Sequence, residues 1–387
     1  MSPNAEYETA RDPWSRQVSQ LFSPYSIGDL HLENRIVIAP MCQYSAENGS
    51  ATDWHLIHLG HLALSGAALL TIEATAVEAE GRITPGDLGL WSDDNEVALK
   101  RVLNAVRRHS SMPIAIQLAH AGRKASSHVP WDGGQLILPE QGGWRPQAPS
   151  AIPHAADEPA PVALDRGGLQ RVLQAFVATA HRAQRLGIDA IELHAAHGYL
   201  LHEFLSPLAN ARDDEYGGPL ENRMRFPLAV FEAVRAAVPA AMPVGVRLSA
   251  TDWVAGGWDL EQSVVFGQAM RQRGCAFMHV SSGGVSPLQQ IPLGPGYQVA
   301  LAETLRRETG LPTIAVGLIT EAEQAEAIIA EGRADLVALA RGMLFDPRWP
   351  WHAAVALGAE VEAPPQYWRS QPRGLSSLFG DARIGQR

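Results

Sequence analysis

The sequence predicts an α/β fold, a closed (β/α)8 barrel of the TIM-barrel class, in a single domain with a proline-rich insertion after strand 3. Eight short apolar runs recur along the chain, and amphipathic segments of helical length lie between them. Apolar runs without clean alternation are typical of parallel strands that are covered on both faces. Eight strand and helix units favour a closed barrel over an open doubly wound sheet, which the count alone leaves possible.

The runs that predict the strands are short and rich in β-branched residues. In chain order they cover 35–41, 68–74, 113–119, 189–195, 243–249, 276–282, 312–318 and 335–341. Helices are predicted over 94–109, 168–186, 222–238, 261–273 and 321–331. Two of these segments are followed directly by Gly187 and Gly274, and glycine is common immediately after a helix.

The chain of 387 residues divides into three predicted parts. A tail covers 1–20, the barrel covers 21–360, and a C-terminal segment covers 361–387. The connection at 122–166, between the third and fourth runs, is rich in proline: Pro130, Pro139, Pro146, Pro149, Pro153, Pro159 and Pro161. Connections of that length usually serve as lids or binding loops, so we predict a lid over the strand ends. A surface loop without function is the alternative.

The composition is typical of a globular enzyme and argues against several other classes. The chain is 46% hydrophobic and 19% charged, with a formal net charge of -10. Because no Lys/Arg-rich run occurs, nucleic acid and anionic membranes are not expected partners. No signal peptide and no apolar stretch of about 18 residues is found, which predicts a cytoplasmic location. Cys42 and Cys275 are too few for a disulfide framework, a four-cysteine zinc site or an iron–sulfur cluster.

Chemically reactive side chains are concentrated where the predicted strands end. In a barrel of this class the working residues lie at the carboxyl ends of the strands, which meet at one rim. The fourth run ends in IELHAAHGYL, which places His194, His197 and Tyr199 at that rim. The other strand-end residues, in chain order, are Pro40, Met41, Cys42, Tyr44, Ala74, Gln117, Arg123, Lys124, Arg247, Gly317, Arg341 and Gly342.

The two histidines after the fourth run allow two different chemistries. As ligands, His194 and His197 would hold a metal in a hydrolase, but no carboxylate stands at the ends of strands five to eight to complete the site. As N–H donors, they would bind a carbonyl or nitro oxygen that gains negative charge, and Tyr199 would deliver a proton nearby. This second chemistry, which we favour over the metal site, requires an electron source that unassisted side chains do not provide.

The remaining strand ends suit a flavin. Gln117 offers an amide to the pyrimidine edge, and Arg247 offers positive charge that would favour the anionic reduced ring. Gly317, Arg341 and Gly342 follow strands seven and eight, the usual phosphate corner of this fold. No G-x-G-x-x-G motif occurs, so a nicotinamide would have to reach the flavin directly and not through a Rossmann site.

Several motifs together resemble the old yellow enzyme family of FMN-dependent ene-reductases, in its thermophilic-like subclass. They are NRIVIAPMCQY, DWHLIHLGHLA, EGRITPGDLG, IQLAHAGRKA, IELHAAHGYLLHEFLSPLANARDDEYGGPLENR, GVRLS and ALARGML, within about 21–373. The resemblance implies a barrel that holds FMN noncovalently and takes hydride from NADPH or NADH. It also implies reduction of activated alkenes, that is, α,β-unsaturated carbonyl or nitro compounds.

The resemblance also implies roles for individual residues. His194 and His197 would bind the oxygen of the substrate, Tyr199 would donate the proton, and Tyr44 would assist at the same oxygen. Cys42 would tune the flavin's redox potential, although a small buried hydrophobe is the alternative for a free cysteine. The residues that would contact FMN are Pro40, Met41, Cys42, Ala74, Gln117, Arg247, Gly317, Arg341 and Gly342.

Other implied features concern the surroundings of the site. Tyr367, Trp368 and Arg369 would reach the site of a neighbouring subunit, which implies a homodimer or homotetramer. Lys124 would lie near either the ribityl phosphate or the substrate mouth, and Leu293 lies in a loop that varies among relatives. Two other functions remain as alternatives: a noncatalytic FMN-binding barrel and a metal-dependent hydrolase that uses the two histidines.

Overall fold

The structure is a computed structural model that describes residues 18–380 and residue 382. Most of the predicted tail at 1–20, and residues 381 and 383–387 of the predicted C-terminal segment, lie outside the described residues. In chain order the strands are β1 (Tyr25–Ile27), β2 (Leu30–Leu32), β3 (Ile36–Ile38), β4 (Leu69–Ala76), β5 (Ile114–Ala119), β6 (Gln147–Ala148), β7 (Val162–Ala163), β8 (Ala190–Ala195), β9 (Val244–Ser249), β10 (Met278–Ser281), β11 (Thr313–Val316) and β12 (Leu336–Leu339).

Eight of these strands close into the predicted barrel. Their order is β3, β4, β5, β8, β9, β10, β11 and β12, and every neighbouring pair is parallel, including the closing pair of β12 and β3. Each barrel strand lies within one of the eight predicted runs or extends it by two residues at most. The fold class is therefore confirmed, and the doubly wound alternative is wrong.

Helices follow the barrel strands and cover them from outside. They are α1 (Asp53–Leu62), α2 (Asp93–Arg107), α3 (Arg166–Arg185), α4 (Leu200–Leu205), α5 (Leu220–Ala237), α6 (Leu260–Gln272), α7 (Val299–Thr309), α8 (Ala322–Ala330), α9 (Arg341–Phe345) and α10 (Trp349–Leu357). The predicted glycine ends are confirmed: after α3 and α6, Gly187 and Gly274 adopt positive φ angles of +68° and +81°. None of the helices over 18–380 is long and apolar enough to cross a membrane.

Alternation along the strands separates two hydrophobic clusters. On β3, Ile36 and Ile38 pack outward in a large cluster that also contains Phe176 of α3. Val37 points inward and shares a second cluster with residues such as Phe277. Because alternate residues of a barrel strand face opposite sides, the same alternation holds around the ring and fills the interior with side chains.

A short antiparallel hairpin, which the sequence analysis did not predict, precedes the barrel. Its strands β1 and β2 pair around Gly28, which adopts a φ of +57°. Ile27 and Leu32 are fully buried in the interior cluster with Ile314. The hairpin therefore adds apolar side chains to the floor of the barrel, beneath the polar layers described below.

The proline-rich insertion lies between β5 and α3 and contains the two-residue strands β6 and β7. The loop after α4 holds it in place, because Arg212 Nη1 donates hydrogen bonds to the carbonyls of Pro149 at 2.8 Å and Leu164 at 2.6 Å. The charged, turn-rich run around Arg212 therefore serves as a loop that holds the insertion.

Candidate active site

The interior of the barrel is built in layers because alternate residues of each strand point inward. On β8, Ala190 belongs to the apolar floor, and Glu192 and His194 follow at two-residue steps toward the rim. The pairing of β8 with β5 and β9 sets Glu192 beside Gln117 and His194 beside Arg247. The strand order therefore brings residues of three separate strands together.

A buried carboxylate occupies the layer below the rim. Glu192 Oε1 accepts a hydrogen bond from Gln117 Nε2 at 2.7 Å, and Glu192 Oε2 lies 2.8 Å from His279 Nδ1. Burial opposes the charged form, but His279, Arg247 and Gln117 together hold the pKa of Glu192 below its ordinary value. The ionised carboxylate therefore fixes the orientation of the Gln117 amide and places negative charge near Arg247.

Sequence reasoning missed Glu192 and His279, although the chain contains a signal for both. Each interrupts an otherwise apolar strand, in AIELHA and in FMHVSS. A polar side chain inside a strand that is covered on both faces requires a partner, because burial without a hydrogen bond is costly. The identity of the partner depends on strand order, which a single strand does not reveal.

Arg247 is a buried cation beside His194 and His279, and only 8% of it is exposed. Its Nε has no hydrogen-bond partner among residues 18–380. Burial lowers the pKa of Arg247, and Glu192 acts in the opposite direction. A buried guanidinium with an unsatisfied donor fits a ligand that presents a carbonyl or an anionic nitrogen, as the pyrimidine edge of a flavin does.

The predicted phosphate corner lies beyond β11 and β12. Gly317 has a φ of +122°, and a Cβ there would lie 2.6 Å from Gln298 Nε2, so only glycine fits. Arg341 is exposed and Gly342 is half-buried. The sequence analysis missed Tyr297. Burial raises the pKa of the Tyr297 phenol, and the nearby charges of Arg341 and Arg247 lower it. An exposed arginine on a segment that contains glycine fits a phosphate group.

His194, His197 and Tyr199 form one group of rings at the rim. The ring centroid of His194 lies 5.2 Å from that of His197 and 4.8 Å from that of Tyr199, and both pairs meet edge to face. His194 Nδ1 accepts a hydrogen bond from the Ala196 N–H at 3.3 Å, which leaves the ring proton on Nε2. His197 Nε2 lies 2.7 Å from Ser281 Oγ, so Nδ1 is its remaining ring nitrogen.

Burial sets the protonation of all three rings. It lowers the pKa of both histidines well below the ordinary 6.5, and the charge of Arg247 adds to the effect. Burial also raises the pKa of Tyr199 well above 10.0, with a smaller contribution from Cys42. At neutral pH the group therefore offers two uncharged imidazoles and a protonated phenol.

Lys124 lies on the side of the rim that carries Tyr199. Its Nζ donates hydrogen bonds to the carbonyls of His197 at 2.9 Å and Gly284 at 3.2 Å, and it lies 5.2 Å from the centroid of the Tyr199 ring. Burial lowers the pKa of Lys124 to about 8. Lys124 therefore lies beside Tyr199, and its role at the substrate mouth stays a prediction.

The loop after β3 lines the same rim. Pro40, Met41 and Cys42 are half-buried, and Ala74 of β4 is buried opposite Gln117. Burial raises the pKa of the Cys42 thiol well above 9.0, and two nearby carboxylates add to the shift. The thiol is therefore protonated, and its reactive thiolate form is disfavoured.

Tyr44 joins this loop to the insertion. It lines a cavity of about 190 Å³ together with Lys124 and with Pro130 and Leu136 of the insertion. The Tyr44 ring also meets Trp131 edge to face, with centroids 5.8 Å apart. The predicted lid segment therefore forms part of the wall beside the rim.

The described contacts of Tyr367 and Trp368 are with residues other than those of the rim. The Tyr367 ring packs on Trp351, with centroids 6.2 Å apart, and Arg348 lies 5.2 Å from its centroid. Trp368 packs within a separate C-terminal cluster, and Arg369 is exposed. These described contacts are with α10 and the C-terminal segment of the same chain.

Metal ligation finds no support in the part of the chain that the structure describes. No group of three or more His, Cys, Asp or Glu side chains there could hold a metal ion. His55 of α1 is a packing residue: its Nδ1 accepts the Thr52 N–H at 3.0 Å, and its Nε2 lies 3.4 Å from Glu73.

Comparisons with known proteins show which family the chain belongs to. The sequence profile of the NADH:flavin oxidoreductase / NADH oxidase family matches residues 20–360. NADPH dehydrogenase of Geobacillus thermodenitrificans is 46% identical over 351 residues, which are 90% of this chain and 98% of that protein. NADPH dehydrogenase of Listeria innocua is 44% identical over 91% of this chain and 99% of its own.

Solved structures agree as well. Morphinone reductase superposes with a TM-score of 0.74 and 29% identity, covering 96% of both chains. A 2-naphthoyl-CoA reductase complex superposes with a TM-score of 0.78 at 23% identity, which concerns the fold alone, and the chain spans 56% of that longer protein. FMN and a nicotinamide reductant are therefore the cofactors of this enzyme, as predicted. The chain belongs to the NADH:flavin oxidoreductase / NADH oxidase family, in agreement with its resemblance to the old yellow enzymes.

Proposed function

We propose that this flavin oxidoreductase reduces the activated C=C bond of α,β-unsaturated carbonyl or nitro compounds, and that His194, His197 and Tyr199 carry the substrate chemistry. The observation that carries the proposal is the ring group itself, two uncharged imidazoles and a protonated phenol: the His194 ring centroid lies 5.2 Å from that of His197 and 4.8 Å from that of Tyr199. The chemistry that bound FMN supplies is hydride transfer from the nicotinamide to the β-carbon of the alkene. The protein must then stabilise the oxygen that gains charge and protonate the α-carbon.

The two histidines suit the first task. His194 presents Nε2–H because its Nδ1 accepts the Ala196 N–H. If the Ser281 hydroxyl donates to His197 Nε2, the His197 ring proton lies on Nδ1, and both rings become donors. Donors held in place beforehand stabilise a developing oxyanion without reorganisation.

The affinity for a neutral enone is therefore expected not to depend on the protonation of these histidines. Between pH 6.0 and 7.0, below the pKa of about 8 of the neighbouring Lys124, the dissociation constant of 2-cyclohexenone from the oxidised enzyme should change by less than about twofold, because the pKa values of both histidines lie well below 6.5. Titration of the flavin absorbance at each pH measures it. A transition centred near 6.5 would contradict the neutral-donor reading.

The same shifts affect stability, with a definite sign. Below pH 6.5 the unfolded chain protonates His194 and His197, whereas the folded protein does not until lower pH. Because the unfolded state then binds more protons, these two groups make the free energy of unfolding fall as the pH falls below 6.5.

Tyr199 suits the second task. Its raised pKa keeps the phenol protonated, and Lys124 fixes the neighbouring backbone and lies near the ring. Tyr44 and Cys42 line the adjacent loop, where Tyr44 would assist at the substrate oxygen and the protonated Cys42 thiol would tune the flavin's potential. The cavity beside Tyr44 would hold the rest of the substrate.

The residues that would hold FMN are those that face the rim from the other strands. Gln117 and Arg247 would bind the pyrimidine edge, backed by Glu192, and Gly317, Arg341 and Gly342 would bind the phosphate. Pro40, Met41, Cys42 and Ala74 would line the ring. The unsatisfied Arg247 Nε supports this assignment.

Replacing Arg247 with methionine should weaken FMN binding by about tenfold or more, because a buried hydrogen bond to a charged group contributes about 1.5–3 kcal/mol. The midpoint potential of the bound FMN should also fall, since positive charge favours the reduced ring. Fluorescence titration and a redox titration measure the two effects. Arg273→Met, which removes a surface partner of Glu232, is the matched control and should change neither.

We further propose that Tyr367, Trp368 and Arg369 contact a neighbouring subunit in a homodimer or homotetramer. The exposure of Arg369, and of 41% of Tyr367, supports it. Sedimentation of Arg369→Ala against wild type tests the role of the segment in assembly. The cytoplasmic location and the boundaries of the three parts of the chain stay predictions.

The experiment that tests the proposed function is an anaerobic visible spectrum of the purified protein, followed by NADPH or NADH and then by excess 2-cyclohexenone. Flavin bands that bleach with the nicotinamide and return with the enone establish the reaction. Bands that bleach but do not return contradict the substrate class. Bands that never bleach favour the noncatalytic barrel, and a colourless protein that FMN cannot reconstitute would return the histidines to the metal hypothesis.

A further inference from the structure

The turn between β8 and α4 is held in an uncommon backbone conformation. His197 has a φ of +58° and Gly198 a φ of +76°, both in the left-handed region that non-glycine residues rarely adopt. A Cβ on Gly198 would lie 2.2 Å from the carbonyl oxygen of Gly284, so the turn packs directly against the loop after β10. A left-handed histidine persists only where the surroundings hold it.

Three side chains from different parts of the chain hold this turn. Ser249 Oγ accepts the His197 N–H at 2.9 Å, and Lys124 Nζ donates to the His197 carbonyl at 2.9 Å. The third is His202, whose Nδ1 accepts the Gly198 N–H at 2.9 Å. His202 lies in the first turn of α4 and is fully buried, and its two ring nitrogens contact the Gly198 backbone and Asp252.

A buried aspartate fixes the state of the His202 ring. His202 Nε2 lies 2.8 Å from Asp252 Oδ1, and Asp252 Oδ2 accepts hydrogen bonds from Ser206 Oγ at 2.6 Å and the Trp258 N–H at 2.7 Å. Because the Gly198 N–H is a donor, Nδ1 must be unprotonated, and Nε2 carries the proton that is donated to Asp252. The contacts therefore require one tautomer of His202.

We propose that His202 is a positioning residue for the substrate site: its Nε2–H is donated to Asp252, and its Nδ1 accepts the Gly198 N–H and so holds the turn that aims His197 and Tyr199. The inference rests on the proposed function of those two residues. The chain of contacts runs from Asp252 after β9, through His202 of α4, to Gly198, which stands between the two rings in sequence. Loss of the Nδ1 acceptor leaves the Gly198 N–H unpaired and releases the turn.

Two conservative variants separate this role from a general contribution to folding. In His202→Asn the amide oxygen lies near the position of Nδ1, so the acceptor for Gly198 is kept and the donor to Asp252 is lost. In His202→Gln the amide nitrogen lies near the position of Nε2, so the donor is kept and the acceptor is lost. If His202 serves stability alone, the two variants should lose ligand affinity to a similar extent. If it positions the turn, the loss should be larger in His202→Gln than in His202→Asn.

The test uses FMN-loaded enzyme and 4-hydroxybenzaldehyde, whose dissociation constant is read from the flavin spectrum, with the melting temperature as the measure of stability. We expect the dissociation constant of the phenol to rise by about tenfold or more in His202→Gln and by less than about threefold in His202→Asn. The difference corresponds to one buried hydrogen bond. Equal losses that follow the melting temperature, or no loss in His202→Gln, would overturn the proposal.

A second measurement separates failure of the inference from failure of the proposed function. Hydrogen exchange of the 196–204 peptide should be faster in His202→Gln than in wild type and near wild type in His202→Asn, whether or not a phenol binds. If wild type binds no phenol and no enone, the proposed function is wrong, and with it the role in aiming the rings. If the phenol binds but exchange is the same in both variants, the positioning role alone is wrong.

Discussion

Replacing both His194 and His197 with alanine is expected to leave FMN bound and to weaken binding of 4-hydroxybenzaldehyde by about a hundredfold or more. In the proposed site each imidazole would contribute one hydrogen bond to the phenolate oxygen, and hydrogen bonds to charged groups contribute about 1.5–3 kcal/mol each. FMN remains because its predicted contacts are on other strands, chiefly Gln117 and Arg247. Titration of the flavin band with the phenol measures the loss.

The matched control for the double variant is His61→Ala, which removes a histidine whose Nδ1 bonds the Ile57 carbonyl within α1. It should bind the phenol as wild type does. The single variants should each lose part of the affinity, because the two rings face the same ligand. Unchanged affinity in the double variant would contradict the proposal that the two histidines bind the negatively charged oxygen of the ligand.

Tyr199→Phe is expected to slow reoxidation by 2-cyclohexenone by about a hundredfold or more, since a positioned general acid contributes about 10²–10⁴-fold. FMN reduction by NADPH should be nearly unchanged, because hydride transfer from the nicotinamide needs no proton from the protein. Anaerobic stopped-flow absorbance separates the two half-reactions. With the pKa of Tyr199 raised well above 10.0, the wild-type rate should not fall through loss of this proton up to about pH 9.

Tyr216→Phe is a suitable control for this prediction. The Tyr216 ring packs on Phe226, with centroids 6.3 Å apart, and lies on the loop that holds the insertion, away from the rim. Both half-reactions should be as in wild type. If Tyr199→Phe slowed the two half-reactions equally, the residue would be positioning ligands and not donating a proton.

Most of the barrel could be predicted because its signal is local. Parallel strands covered on both faces must be apolar along their length, and this is visible in each run separately, for example in 113–119 against the observed β5 at Ile114–Ala119. The rim residues were also predictable, because parallel strands of a barrel bring all their carboxyl ends to one side. Once strand ends are known, His194 and Arg247 must share a rim.

The hairpin of β1 and β2 was missed for the opposite reason. Three-residue strands carry too little periodicity to be recognised, and what stabilises them is burial of Ile27 and Leu32 against the barrel floor. The same holds for Glu192. The carboxylate is visible in the sequence of β8, but its partner Gln117 comes from the neighbouring strand β5, and its partner His279 comes from β10, two strands away on the other side.

By itself, then, the sequence determined the barrel and the residues that lie at its rim, because periodicity and strand ends are properties of short segments. Only the tertiary structure decided which nitrogen of His194 carries its proton, that Lys124 lies beside Tyr199, and that His202 and Asp252 hold the turn. Those outcomes depend on hydrogen bonds between residues that strand register and burial bring together across the chain. A histidine tautomer or a buried pair leaves no pattern in the local sequence, because it is set by a partner residue from another part of the chain.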